Sequence, residues 1–134
     1  MAKLSVDLVT PERRVVAVQA DEAIVPGARG LFGVRPGHTS FLSLMEPGVL
    51  SLRDGATTQL FFIAGGFVEV SDDRILVLAA QAEPVSAIDL DASKQRLLAA
   101  QDRLKGMSPE DVRFEIETAT VKRETARMAA AGRL

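Results

Sequence analysis

The chain has 134 residues, enough for one ordinary domain or a small domain with an appendage, and at 47% hydrophobic it is too apolar to remain disordered. It has no cysteine and one histidine, which excludes disulfides, thiolate nucleophiles, cysteine metal sites and multi-histidine centres. A net charge of −2 argues against nucleic acid as the main partner, because phosphate binding requires a clustered positive field.

Residues 4–80 read as short strands punctuated by turn chemistry. Leu4, Val6 and Leu8 alternate with Ser5, Asp7 and Val9, the period-two pattern of a half-buried strand. Thr10-Pro11-Glu12-Arg13 predicts a turn, and 15–20 resumes the extended pattern. A short strand over 23–25 is closed by Pro26-Gly27. A strand over 41–45 follows, with Pro47-Gly48 read as the turn into a strand over 49–52. Asp54-Gly55 is a strong hairpin signal, since both residues tolerate positive φ. Strands over 60–64, 67–70 and 75–78 complete the set, the last two separated by Ser71-Asp72-Asp73. Strand after strand with no helix between them predicts an antiparallel β-sandwich or barrel. The stretches 60–63 and 75–78 are apolar on both faces. One face is expected to cover the core, and the other to meet the tail or a second protein.

After Pro84 the pattern changes, so a β-domain over 1–86 and a helical hairpin over 87–134 are expected. Residues 89–105 are rich in helix formers, with Leu90, Leu97 and Leu104 repeating every seven residues as one apolar stripe. Gly106 stops that helix. Ser108 is the expected cap of a second helix over 109–131, with Pro109 in its first turn and Glu110 and Asp111 near its positive end. On that helix Val112, Ile116 and Ala119 share one face, and Phe114, Val121 and Met128 roughly the opposite one. Residues 1–88 hold ten acids and seven bases, net −3, whereas 89–134 hold eight acids and nine bases, net +1. The last stretch carries Lys122, Arg123, Arg127 and Arg133 against Glu124 alone. This reads either as a solvated face with bases at the negative helix end or as a basic tip for an acidic partner.

No catalytic constellation emerges. His38, in Arg35-Pro36-Gly37-His38-Thr39-Ser40, has a nearby serine but no nucleophile elbow or oxyanion hole, and reads as a structural or interface histidine. The run Gly27-Ala28-Arg29-Gly30-Leu31-Phe32-Gly33 lacks the closing Gly-Lys-Ser/Thr of a phosphate loop and does not lead into a helix. Its glycines are expected to make tight turns, and Gly65-Gly66 a strand connection or bulge. No apolar run reaches the roughly 20 residues of a membrane span. The first residues lack the basic start and apolar stretch of a secretory signal. The expectation is a cytosolic chain whose membrane association comes through a partner.

Three segments in order resemble one family, the epsilon subunit of the bacterial F-type ATP synthase. They are residues 30–42, which contain Arg35-Pro36-Gly37-His38; Gly65-Gly66-Phe67-Val68-Glu69-Val70; and the strand Ile75-Leu76-Val77-Leu78-Ala79. The resemblance covers essentially the whole chain. It implies a sandwich of about ten strands followed by two helices, in a rotor subunit without catalytic residues, metal or cofactor. Such a subunit links the gamma subunit to the c-subunit ring, peripheral to the cytoplasmic face of the bacterial inner membrane. By the family pattern Arg29, Gly30, Leu31 and His38 face the c ring, and the two-faced strands face gamma. Leu31 stands where many relatives carry an acid. In some relatives ATP binds through Ile/Leu-Asp-any-any-Arg-Ala. Here the Arg-Ala positions hold Ala92-Ser93 in one register and Lys94-Gln95 in the other, so weak or absent ATP binding is expected. In several relatives the second helix inserts into the alpha/beta catalytic head and blocks hydrolysis; Arg113, Lys122, Arg123 and Arg127 are the residues suited to that part. The alternative reading is a stand-alone nucleotide-sensing β-sandwich module. An enzyme on a cupin-like barrel would need several metal-binding histidines, and the chain has one.

Overall fold

A computed structural model describes residues 2–133; Met1 and Leu134, the outer limits of the two expected segments, lie outside the described residues. The described residues form eight strands: β1 (Leu4–Val9), β2 (Arg14–Ala20), β3 (Glu22–Gly27), β4 (Gly30–Val34), β5 (Phe41–Asp54), β6 (Thr57–Ser71), β7 (Arg74–Ala79) and β8 (Ala82–Pro84). A 3-10 turn (Val85–Ala87) and two helices, α1 (Leu90–Leu104) and α2 (Phe114–Ala131), follow. The chain divides into two compact units, one ending at Pro84 and the other beginning at Val85.

In the first unit the strands run in the order β2-β1-β7-β6-β5-β3-β4, with β8 on β6. The long strands β5 and β6 build both layers of the sandwich. Residues 41–45 of β5 pair with 66–70 of β6, which continue into β7, β1 and β2. Beyond the bend, 47–54 pair with 57–64, and this half joins β3, β4 and β8. Each layer thus contains five strand segments. Eight continuous strands supply the ten segments of the expected sandwich. All pairings are antiparallel except β1 with β7, which is parallel.

The expected turn at Pro47-Gly48 is absent. Pro47 pairs with Ala64 and Gly48 with Ile63, so β5 bends there but does not reverse. A proline is tolerated there because it sits at the bend, where the ladder is already interrupted. Nor does the chain turn at Gly65-Gly66, where β6 crosses between layers with φ of 99° and 133°. The true reversals are tighter. Asp54 pairs with Thr57 around Gly55-Ala56, and Ser71 pairs with Arg74 around Asp72 and Asp73, both at positive φ as a mirror-image hairpin turn requires.

Period-two alternation fills the core. Leu4, Val6 and Leu8 of β1, Val68 and Val70 of β6, and Ile75 and Val77 of β7 point inward from one layer. Ala23, Val25, Leu50, Leu52, Phe61 and Ile63 come from the other. Each large apolar side chain so buried contributes about 1.5–3 kcal/mol relative to exposure.

In the second unit Asp89 caps α1 by accepting from the Ala92 N–H at 3.0 Å. Helix α2 begins at Phe114 rather than Pro109. The Asp111 carboxylate accepts from the Arg113 N–H at 2.9 Å, and separate turns bind Asp111 to Ser108 and Phe114 to Asp111. Such local side-chain bonds compete with the helix, which delays its start. The leucine stripe lies on the seam only in part. Leu90 is exposed, but Leu97 and Leu104 are half-buried on the same face as the buried Ser93 and Ala100, and on α2 the half-buried Phe114, Val121 and Met128 share a face with the buried Glu117 and Glu124, while Val112 and Ile116 are exposed. Ion pairs from Arg103 to Glu117 and from Arg96 to Glu124 set the helices antiparallel. Charge pairing and the half-buried Leu97 and Leu104 share the seam.

Candidate functional site

The glycine-rich run forms the hairpin of β3 and β4. Gly27 pairs with Gly30, leaving Ala28 and Arg29 as the two-residue tip. Gly30, at φ 118°, makes the return that side chains rarely allow. The Ala28 N–H donates to the Leu44 carbonyl at 2.9 Å, which fastens this tip to β5. Phe32 folds back over Gly27, where a Cβ would come within 2.8 Å of its ring, and meets Phe41 edge-on at 5.2 Å.

The loop before β5 delivers His38 to the same place. His38 lies 6.2 Å from the Phe41 ring, and its Nδ1 donates to the Thr39 carbonyl at 2.7 Å. A carbonyl only accepts, so this bond places a proton on Nδ1. The loop is anchored at two points: the Gly37 N–H donates to Asp73 Oδ1 at 2.6 Å, and Arg35 Nε donates to Glu22 Oε2 at 2.8 Å.

The structure therefore brings Arg29, Gly30, Leu31 and His38 to one shallow groove of about 560 Å³, shared with Phe41, Leu42 and Leu44. Leu31 is 70% exposed at its rim. Sequence reasoning missed the aromatic floor of Phe32 and Phe41; the available signal was that both flank the turn carrying Gly37 and His38.

From this groove an apolar row crosses the outer face of one layer. Leu44 pairs with Phe67, Phe67 with Leu78, and Leu78 with Val9, so four strands place apolar side chains in line. Leu44, Phe67 and Leu78 are 56%, 51% and 46% exposed. Their neighbours along each strand point into the core, so pleating holds these three outside it. A second shallow groove, lined by Val9, Pro11, Phe67 and Leu78, ends the row. A contiguous apolar surface of this kind marks a protein contact.

The helical residues behave differently. Arg113 pairs with Asp111 at 2.8 Å, and Lys122 is exposed on α2. Arg123 and Arg127 converge instead on Glu124, through Nε bonds of 2.9 and 3.0 Å. Glu124 is fully buried and also accepts from Ser93 Oγ at 2.9 Å and Arg96 Nε at 3.1 Å. Burial alone would push its carboxyl up; the bonds from Arg123, Ser93 and Arg127 overcome that and hold it at about 2. Ser93, where the nucleotide-binding motif has alanine, is thus committed to the seam. The sequence signal for this cluster was Glu124 as the lone acid in a basic stretch. Among the described residues no group of His, Asp and Glu could hold a metal ion, and no helix is long and apolar enough to cross a membrane.

Fold and surfaces together define a two-layer β-unit built for protein contact, followed by a charged helical pair. Residues 3–85 match the family described as "ATP synthase, Delta/Epsilon chain, beta-sandwich domain", and the chain belongs to that family. It is 63% identical to the ATP synthase epsilon chain of Myxococcus xanthus, covering 98% of this chain and 96% of that one. It is 44% identical to the ATP synthase epsilon chain of Anaeromyxobacter sp. strain Fw109-5, covering 97% of this chain and 98% of the relative. A chain in the cryo-EM structure of the Euglena gracilis mitochondrial ATP synthase, "OSCP/F1/c-ring in rotational state 1", shares the fold with a TM-score of 0.81 at 22% identity, over 97% of this chain and 82% of that one.

Proposed function

We propose that this chain is the epsilon-type rotor subunit of an F-type ATP synthase, binding gamma and the c ring so that proton-driven rotation reaches the catalytic head. The observation that carries this reading is the 63% identity to an ATP synthase epsilon chain over 98% of the length, which spans both units. The subunit performs no bond chemistry of its own. It works at the cytoplasmic face of the bacterial inner membrane, held there through its partners. The sandwich over 1–86 and the helices over 87–134 act as separate working parts. Arg29, Gly30, Leu31 and His38 meet the polar loops of the c ring, supported by their convergence on one groove. The row Leu44–Phe67–Leu78–Val9 meets gamma, supported by its exposure. Arg113, Lys122, Arg123 and Arg127 serve an inhibitory contact with acidic groups of the head.

The test is a pull-down of the tagged chain against gamma from the same genome, with ATPase assays of the assembled head. Binding at micromolar concentration is expected, and a chain ending at Gly106 should still bind gamma while restoring hydrolysis. Absence of gamma binding would sink the rotor reading. Unchanged hydrolysis after truncation would remove the inhibitory role alone.

A further inference from the structure

The loop that carries His38 has little packing to hold it. Gly37, Thr39 and Ser40 are exposed, and His38 is half-buried beside Phe41. Hydrogen bonds therefore set its shape. The His38 N–H closes a turn on the Arg35 carbonyl at 3.1 Å, with Pro36 and Gly37 (φ 87°) at its corners, the pattern of a type II turn. That closure leaves the Gly37 N–H without a partner inside the turn. Asp73 supplies one from outside: its Oδ1 accepts the Gly37 N–H at 2.6 Å, across 36 residues of chain. The other anchor, Arg35 to Glu22, starts from a side chain that is 73% exposed, and surface pairs of that kind are individually weak.

Asp73 is not the residue its own turn calls for. It occupies the second central position of the β6–β7 hairpin at φ 59°, after Asp72 at φ 50°. Glycine is favoured at that position, because L side chains crowd the backbone at positive φ. The turn's main-chain tie to β1, from the Ser5 N–H to the Asp73 carbonyl at 2.8 Å, needs no side chain. What the carboxylate does is hold Gly37. We propose that Asp73 is a positioning residue for the c-ring contact: from the β6–β7 hairpin it fixes the Gly37 backbone, and so the placement of His38 at the groove, although it does not itself line that groove. The partner named here rests on the c-ring reading above, whereas the anchor stands on the loop geometry alone.

Two substitutions separate positioning from folding. Asp73→Asn keeps an oxygen acceptor and tolerates positive φ, so it should behave as the parent chain does. Asp73→Gly removes the acceptor and relaxes the turn. In the full chain, amide exchange at Gly37 should then quicken at least about tenfold, the factor expected for a lost bond to a charged group, while the urea midpoint stays level or rises. Binding of the full chain to purified c rings should weaken about tenfold in Asp73→Gly and stay within about twofold in Asp73→Asn. Binding to gamma should not change in either. Unchanged Gly37 exchange, or unchanged c-ring binding, in Asp73→Gly would overturn the proposal. So would a fall in the midpoint or in gamma affinity alongside c-ring affinity, because Asp73 would then be a folding residue. If the parent chain binds no c ring while Asp73→Gly still quickens Gly37 exchange, the c-ring reading fails and the anchor stands.

Discussion

At Gly66 two strands close on each other so tightly that a side chain has nowhere to go. A Cβ built there would lie 2.0 Å from the Leu78 carbonyl oxygen and 3.0 Å from the Ala79 Cα, on a backbone already at φ 133°. Both obstacles are main-chain atoms of β7, which cannot rotate aside as a side chain would. Gly65, at φ 99°, meets only the Met45 carbonyl oxygen at 3.4 Å, so its requirement is conformational more than steric. Gly66→Ala should therefore destabilise the sandwich by about 3 kcal/mol or more, and Gly65→Ala by roughly 1–2 kcal/mol. Urea unfolding of the two variants checks the order: the midpoint should fall further for Gly66→Ala. The sequence marked this pair as a place where a neighbouring backbone approaches closely, and β7 does so at Gly66. Adjacent glycines alone do not show that one long strand crosses between layers there; the partner strands do.

The helices show that periodicity can find the face of a charged seam without naming its charged members. On β1 each apolar residue at period two faces the core, because the opposite layer offers only apolar surface. On α1 the half-buried Leu97 and Leu104 share the buried face with Ser93 and Ala100, while Leu90 is exposed beyond it. A buried glutamate is stable only if its partners are present, and those of Glu124 come partly from another helix 28 to 31 residues away in sequence. No reading of one helix alone could supply them. The pairing has a pH signature. The Glu124 carboxyl sits at about 2 in the folded chain against an ordinary 4.5, so between these values the unfolded chain binds the proton first. The stabilisation is full above about pH 4.5 and is lost as the pH falls toward 2; by pH 3 the loss amounts to roughly 2 kcal/mol. The lowered carboxyl of Glu117, held by Arg103, acts in the same direction. Thermal melts followed by the helix signal should show a lower midpoint at pH 3 than at pH 5, with a smaller difference in Glu124→Gln.

At the scale of the whole molecule, order along the chain was more legible than pairing across it. Turn residues and alternation placed the strands, but the parallel pairing of β1 with β7 depends on residues about 70 positions apart, which no local pattern encodes. That pairing completes the apolar row: Val9 reaches Leu78 only through it. A row assembled from four strands must either meet a partner or remain in water, and its central member is Phe67, flanked by Leu44 and Leu78. Truncating an exposed side chain removes few internal contacts, so Phe67→Ser should change the unfolding midpoint little, by about 0.5 kcal/mol or less. An aromatic at the centre of a contact surface carries a disproportionate share of the binding energy. The same variant should therefore weaken binding to gamma by about 2 kcal/mol or more, close to thirtyfold. Glu69→Gln, one step along the same face, removes charge without removing bulk and should weaken binding far less. Titration calorimetry with gamma, alongside urea unfolding of each variant, separates the two quantities. Equal affinities for Phe67→Ser and the parent chain would place gamma on another surface, whereas a loss confined to binding would assign the row to it.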